Sequence, residues 1–380
     1  MTFDPIALAQ DLIRRPSVTP ADAGAMDVLQ RALEGLGFNC RRMKFGAIEN
    51  LYARRGTLGP NLCFAGHTDV VPVGDAAAWR QQPFDAAVVD DVLYGRGAVD
   101  MKGSVAAFVA ACAAIDPAAA RGSLSFLITG DEEGDADDGT VRMVEALQAE
   151  GERIDHCVLG EPSSAALLGD QMKIGRRGSL NAWITVEGRQ GHVAYPQAAA
   201  NPLPPLIRLL DRLQSRVLDT GYPRFQASNL EVTTIDVANP ATNVIPAKAA
   251  ARLNIRFNPA HDGESLIAWL KGECAAEDAA FAGSVALRTK LTGDAFITEP
   301  GDFVAVCVGA VEDVLGRTPE LCTTGGISDA RFIRGLCPVV ELGLVNATMH
   351  GVDERAPVSE IHALTAVYQR LIERYFAKFG

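Results

Sequence analysis

The chain has 380 residues, so at roughly 150 residues per domain it is too long for one ordinary core. Hydrophobic residues make up 48% and charged residues 22%, a globular balance that excludes disorder and fibrous repeats. The net charge of −12, from 35 basic and 47 acidic side chains, argues against nucleic-acid binding and docking on anionic membranes. Ile6–Arg14 and Ala25–Leu36 read as helices, the second closed by Gly37. Asn61–Ala65 is a short apolar strand. Ser104–Ile115 is an alanine-rich helix stopped by Asp116-Pro117. Leu124–Thr129 and Cys157–Gly160 read as buried strands, with a helix over Thr140–Gln148 between them. This alternation predicts an α/β layer on a largely parallel sheet.

The texture changes after Gly178. Leu180–Val186 alternates like a half-exposed strand. A helix around Leu206–Leu218, strands near Leu230–Val237 and Ala250–Phe257, and a helix near Glu264–Ala275 follow. From about Asp294 the α/β pattern returns, with a helix over Phe303–Leu315, a strand at Val339–Leu342 and a last helix from Ser359. The expected architecture is one α/β domain, residues 1–178 and 294–380, interrupted by a smaller α+β domain at 179–293. No internal repeat is evident. The first residues lack a signal-like apolar stretch, and the longest apolar run, Val105–Ile115, is about half a membrane span, so a cytoplasmic location is expected. The eight cysteines are scattered without a CxxC pair and read as buried free thiols.

In open α/β sheets, functional groups gather beyond the carboxyl ends of strands. Here NLCFAG leads to His67 and Asp69, VVDDVLYGRGAV to Asp100, LSFLITG to Asp131-Glu132-Glu133, HCVLG to Glu161, and VVELGLVNATM to His350. Each has an ordinary explanation alone: a polar strand end, a helix cap or a solvated acidic loop. Together they crowd like charges at one edge, which repel unless a cation neutralises them. Imidazole plus carboxylate suits zinc and neighbouring divalent metals. DEEGDADDG fails as a calcium loop, since Ala136 stands where glycine is needed and Arg142 where the bidentate glutamate is needed. GRGAVD looks like a dinucleotide turn, but Asp100 at the third glycine position would repel a pyrophosphate.

The motifs FAGHTDVVPVG, YGRGAVDMKGS, ITGDEEG, LGEPSS, GRRGS, QGHVAYP, TNVIP, TTGGISDARF and VNATMH run nearly end to end. With them the chain resembles the dinuclear-zinc family of aminoacylases, deacetylases and carboxypeptidases. The resemblance implies two Zn²⁺ per subunit, with Co²⁺ or Mn²⁺ able to substitute. His67 and Glu161 would complete one site, Glu133 and His350 the other, and Asp100 would bridge them. A cis peptide would follow that aspartate. Asp69 would fix the His67 imidazole, and Glu132 would be the general base of amide hydrolysis. His192 would be an oxyanion donor supplied across a homodimer formed through the inserted domain, which would also act as a lid. Arg177, Asn243, Arg256 and Asn346 would contact an acidic small-molecule substrate.

The closer resemblance carried by GEPSS, GRRGS and GHVAYP implies N-succinyl-LL-2,6-diaminopimelate, an intermediate on the way to lysine, as the expected substrate. Alternatives are deacetylation of N-acetylornithine or a related aminoacylase reaction, and a homologue that binds ligand without hydrolysing it. Two positions depart from the pattern: Ile327 where threonine is expected, and Thr242 where asparagine is common.

Overall fold

The computed structural model describes residues 3–116 and 121–380. The chain forms two compact units. The larger comprises Met1–Gly175, Ile297–Cys322 and Ser328–Gly380, and the smaller Arg176–Phe296 with Thr323–Ile327. The excursion at Thr323–Ile327 was not expected from the sequence, which placed the whole TTGGISDARF motif in the catalytic domain. Its cause is local. The buried Arg176 guanidinium donates to the carbonyls of Thr324 and Gly326, and the Thr323 hydroxyl donates to the Arg224 carbonyl.

The larger unit is built on a mixed eight-stranded sheet. In chain order its strands are Asn39–Phe45, Ile48–Arg55, Asn61–His67, Ser123–Thr129, His156–Leu159, Gln171–Lys173, Glu320–Cys322 and Val339–Glu341. Across the sheet they lie first, second, fourth, third, fifth, eighth, sixth, seventh. The central pairs Asn61–His67/Ser123–Thr129, Asn61–His67/His156–Leu159 and Val339–Glu341/His156–Leu159 are parallel. Asn61–His67 and Ser123–Thr129 are buried at every position, as expected of strands covered on both faces. The opening antiparallel hairpin, Asn39–Arg55, was not read from the sequence, because its charge-rich first strand lacks an apolar signature.

The helix Pro5–Ile13 starts with the Asp4 side chain accepting from the Ile6 N–H and with proline at its first position. Gly37, φ +79°, supplies the left-handed turn after Ala25–Gly35. The alanine-rich helix spans Lys102–Ala114 and is buried almost throughout; its expected stop, Pro117, lies outside the described residues. The rings of Phe64 and Phe108 stack at 4.3 Å, and Phe108 meets Phe126 and Tyr368 edge-on at 5.4 and 5.1 Å. This cluster joins the strand ending in His67 to the helix that follows Asp100 and to the last helix, Val358–Phe379.

The smaller unit is a four-stranded antiparallel sheet, ordered Asn229–Asp236, Lys248–Phe257, Gly178–Glu187, Ser284–Gly293. Its buried core residues alternate along the strands and pack with the helices Leu203–Ser215 and Gly263–Ala280. The edge strand Ser284–Gly293 was not foreseen individually, although its Val285, Leu287 and Leu291 share one face and pack against the core. All eight cysteines are free, and all but Cys40 are buried. Among the described residues no helix is long and apolar enough to cross a membrane.

Candidate metal centre

His67 is the last residue of its strand, Glu132 and Glu133 lie just past Ser123–Thr129, and Glu161 just past His156–Leu159. The expectation of strand-end placement fails for the other two. Asp100 leaves a turn after the small hairpin Val88–Val89/Val92–Tyr94, which belongs to a separate three-stranded sheet with Arg355–Pro357. His350 arrives nine residues after Val339–Glu341, behind the short 3-10 turn Asn346–Thr348. The peptide Asp100–Met101 is cis.

The structure nevertheless brings these side chains together. His67, Asp100 and Glu161 form one group whose ligand atoms lie within 4.8 Å of one another; Asp100, Glu133 and His350 form a second; His67, Glu132 and Glu133 form a third. The first two share Asp100. Its Oδ1 is 3.1 Å from His67 Nε2 and its Oδ2 is 3.1 Å from His350 Nε2. His350 Nε2 is also 2.9 Å from Glu133 Oε1, and Glu161 Oε1 lies 3.7 Å from His67 Nε2.

Convergence depends on two glycines. A Cβ at Gly66 would come within 2.6 Å of the Met101 side chain, and one at Gly160 within 2.5 Å of the Phe64 ring. Absence of a side chain lets the strands carrying His67 and Glu161 close on the segment carrying Asp100. Gly160→Ala is expected to destabilise the protein by about 1–3 kcal/mol through overpacking, measured by denaturant unfolding. An unchanged midpoint would show that the Phe64 ring gives way freely.

The Asp69 carboxylate does not occupy its expected place on the imidazole. Its main-chain carbonyl lies 2.9 Å from His67 Nδ1 and accepts that hydrogen, while the carboxylate stays 3.6 Å away. The carboxylate instead accepts from the N–H groups of Glu132, 3.2 Å, and Glu133, 3.0 Å. It therefore holds the acidic turn from which neighbouring glutamates depart in different directions.

Electrostatics tests whether the residues fit a cation. Desolvation pushes Glu132 and Glu161 well above the usual carboxylate range, reinforced for both by the Asp100 charge and by each group's other acidic neighbours. Burial likewise raises Asp69 to about 6. Burial opposes charge on His67, but hydrogen bonding to Asp100 and the surrounding carboxylates hold it well above its ordinary value. Hydrogen bonds to Asp100 and Glu133 raise His350 to about 10. Burial would also raise Asp100, yet the two histidines keep it low. With His67 Nδ1–H committed to a carbonyl, Nε2 is the ring nitrogen that faces the carboxylate oxygens and could bind a metal once deprotonated; one of those oxygens, Glu161 Oε1, is buried without a hydrogen-bond partner among the described residues. Convergent lone pairs with this charge excess are the donor set of divalent cations, and the residues fit them.

The remaining expected residues divide between the units. Asn346 opens the turn before His350, its N–H donating to the Ser164 carbonyl. His192, Asn243, Arg177 and Arg256 belong to the smaller unit. His192 is exposed in a two-residue strand pairing with Val244–Ile245, and the Val193 N–H donates to the Asn243 carbonyl. The Ala194 N–H donates to His192 Nδ1 at 3.1 Å, which places the ring proton on Nε2 as a donor. Arg177 donates to Asn229 Oδ1, and Arg256 to Asn254 Oδ1. Among the described residues neither pairs with a carboxylate. Burial depresses both, and Arg256 also feels the charges of Arg177 and Arg176. Such under-neutralised guanidinium groups can receive an acidic ligand. Arg96 and Glu354, which form a buried ion pair, were missed in the sequence; Arg96 lies in the same YGRGAVDMKGS motif as Asp100, and Glu354 four residues beyond His350.

A succinyl-diaminopimelate desuccinylase of Caulobacter sp. (strain K31) is 70% identical over 380 residues, covering 100% of this chain and 98% of the relative. The M20 family metallo-carboxypeptidase Sso-CP2 of Sulfolobus solfataricus has a TM-score of 0.81 at 16% identity, with 98% and 99% of the two chains covered. The YXEP protein of Bacillus subtilis, described as a dinuclear metal binding peptidase from the M20 family, has a TM-score of 0.71 at 14% identity, with 98% and 97% covered. At these identities the two solved structures show the shared fold. Residues 63–374 match the model of peptidase family M20/M25/M40, and the chain belongs to that family.

Proposed function

We propose that the protein is a metal-dependent amide hydrolase that converts N-succinyl-LL-2,6-diaminopimelate into succinate and LL-2,6-diaminopimelate, in the cytoplasm. The observation that carries the chemistry is the pair of ligand groups sharing Asp100, with Glu132 beside Glu133 on one turn. The end-to-end likeness to the Caulobacter desuccinylase supports the substrate.

His67 and Glu161 would hold one cation and Glu133 and His350 the other, with Asp100 available to both; zinc is the expected metal, with cobalt or manganese able to replace it. Two cations bound there would supply an acidified water and a polarised amide carbonyl. Glu132 takes the proton of the attacking water and returns it to the departing amine. Asp69 fixes the turn so that Glu132 and Glu133 keep separate tasks. Arg177 and Arg256 receive substrate carboxylates, with Asn243 and Asn346 at the two ends of the substrate.

His192 donates Nε2–H to the developing oxyanion of a partner subunit's substrate, and the smaller unit serves as lid and homodimer surface. Exposed Ile207 and Ile235, on its helix and edge strand, support that surface. Monomeric variants are expected to lose nearly all turnover; full activity in a monomer by light scattering would remove His192 from this role.

The direct test is hydrolysis of N-succinyl-LL-2,6-diaminopimelate by the zinc-loaded protein, beside N-acetylornithine and a chelator control. Chelator-sensitive cleavage of the succinyl substrate alone is expected. Cleavage of acetylornithine instead would keep the mechanism and overturn the substrate. Cleavage of neither, with two zincs bound, would point to another acyl substrate or to a binding role.

A further inference from the structure

We propose that the buried Arg96–Glu354 pair is a positioning device that holds the Asp100 and His350 segments in register, so that the Asp100–Glu133–His350 group binds its cation tightly. The inference rests on the metal reading above and assigns residues to its support.

Glu354 is fully buried and Arg96 is 2% exposed, and they pair at 2.7 Å. The other Glu354 oxygen accepts three main-chain N–H groups, from Gly97, Val99 and Asp100, at 3.1, 3.0 and 3.1 Å. One carboxylate oxygen thus gathers the turn that ends in the shared ligand. The guanidinium reaches the opposite way. It donates to the carbonyls of Gly351 at 3.2 Å and His350 at 3.3 Å, and to that of Pro72, five residues past His67, at 3.2 Å. The Arg96 head also lies over the Trp79 ring, 5.2 Å from its centroid.

The need for such a brace is visible in the backbone. His350 has φ +60°, in the left-handed region that residues other than glycine adopt uncommonly. His350 also hangs on a loop rather than a strand, and Asp100 on a turn outside the main sheet. The sheet that positions His67 and Glu161 does not position these two. A buried ion pair is weak evidence for stability by itself, because apolar residues often replace one without loss. What distinguishes this pair is the convergence of its bonds on segments that carry ligands. Partners of this kind typically change metal affinity by about 10–100-fold when altered.

The test is a Co²⁺ titration of the metal-free protein, followed by visible absorption, with thermal melts alongside. His350→Ala assigns the binding step that belongs to the Asp100–Glu133–His350 group. Arg96→Lys keeps a cation beside Glu354 but loses the forked reach to three carbonyls. Glu354→Gln keeps an acceptor for the three N–H groups but loses the charge that aligns Arg96. Each is expected to weaken the assigned step by about 10–100-fold and the other step less. Tyr368→Phe, which loses a buried hydrogen bond to the Leu342 carbonyl, is expected to lower the melting temperature and leave both steps unchanged.

Wild-type constants for both steps in a folded Arg96→Lys protein would overturn the assignment. Equal weakening of both steps, matched by Tyr368→Phe, would reduce the pair to a structural role and overturn it as well. If the wild-type protein bound no pair of cations, the metal reading itself would fall, and this inference with it.

Discussion

Glu132→Gln is expected to lower kcat by about 10²–10⁴-fold, with both cations still bound and KM little changed. The substitution keeps the size and hydrogen-bonding outline of the side chain and removes only its capacity to carry a proton between water and the departing amine. The three metal-binding groups overlap, but the first two need no atom of Glu132. The Asp69 carboxylate grips the turn through main-chain N–H groups, so the place of Glu133 does not depend on the side chain changed. Metal analysis and steady-state kinetics on the same preparation separate the possibilities. A fall in turnover together with loss of a cation would make Glu132 a ligand, and unchanged turnover would deny it the proton-transfer role.

Asp100→Asn has the other large effect. The two oxygens of Asp100 face two different imidazoles, each at 3.1 Å. An amide offers one oxygen and one NH₂, so one group must lose its anionic donor and face N–H hydrogens instead. At least one cation is expected to be lost. Polarisation by a metal is worth several kcal/mol in the transition state, and turnover should drop roughly 10³-fold or more. Excess zinc should not restore it. Two cations retained at wild-type affinity would show that Asp100 is not shared between the sites.

The catalytic sheet was legible because its central strands are buried on both faces and so read as unbroken apolar runs; their carboxyl ends pointed to His67, Glu132, Glu133 and Glu161. Asp100 and His350 were named by the same reading for a reason that holds only loosely, since Asp100 follows a hairpin outside that sheet and His350 lies nine residues beyond its strand Val339–Glu341. The charge-rich first strand of the opening hairpin lacked the apolar pattern that announces a strand, whereas the edge strand Ser284–Gly293 went unread although Val285, Leu287 and Leu291 alternate along it. In the smaller unit, Arg177 and Arg256 read equally well as members of salt bridges; only the structure shows that they have no carboxylate partner among the described residues.

The sequence by itself determined the class of chemistry, since side-chain identity alone limits which groups can bind a divalent cation or carry a proton. It also determined the family, through motifs spread along most of the chain. Tertiary structure decided the rest. It put Asp100 between two histidines, turned the Asp69 carboxylate from the imidazole to the acidic turn, and joined Arg96 to Glu354 across 258 residues of sequence. Such contacts obey no local period. They arise where separate segments meet, and the geometry of that meeting comes from packing of the whole unit, including the room left at Gly66 and Gly160.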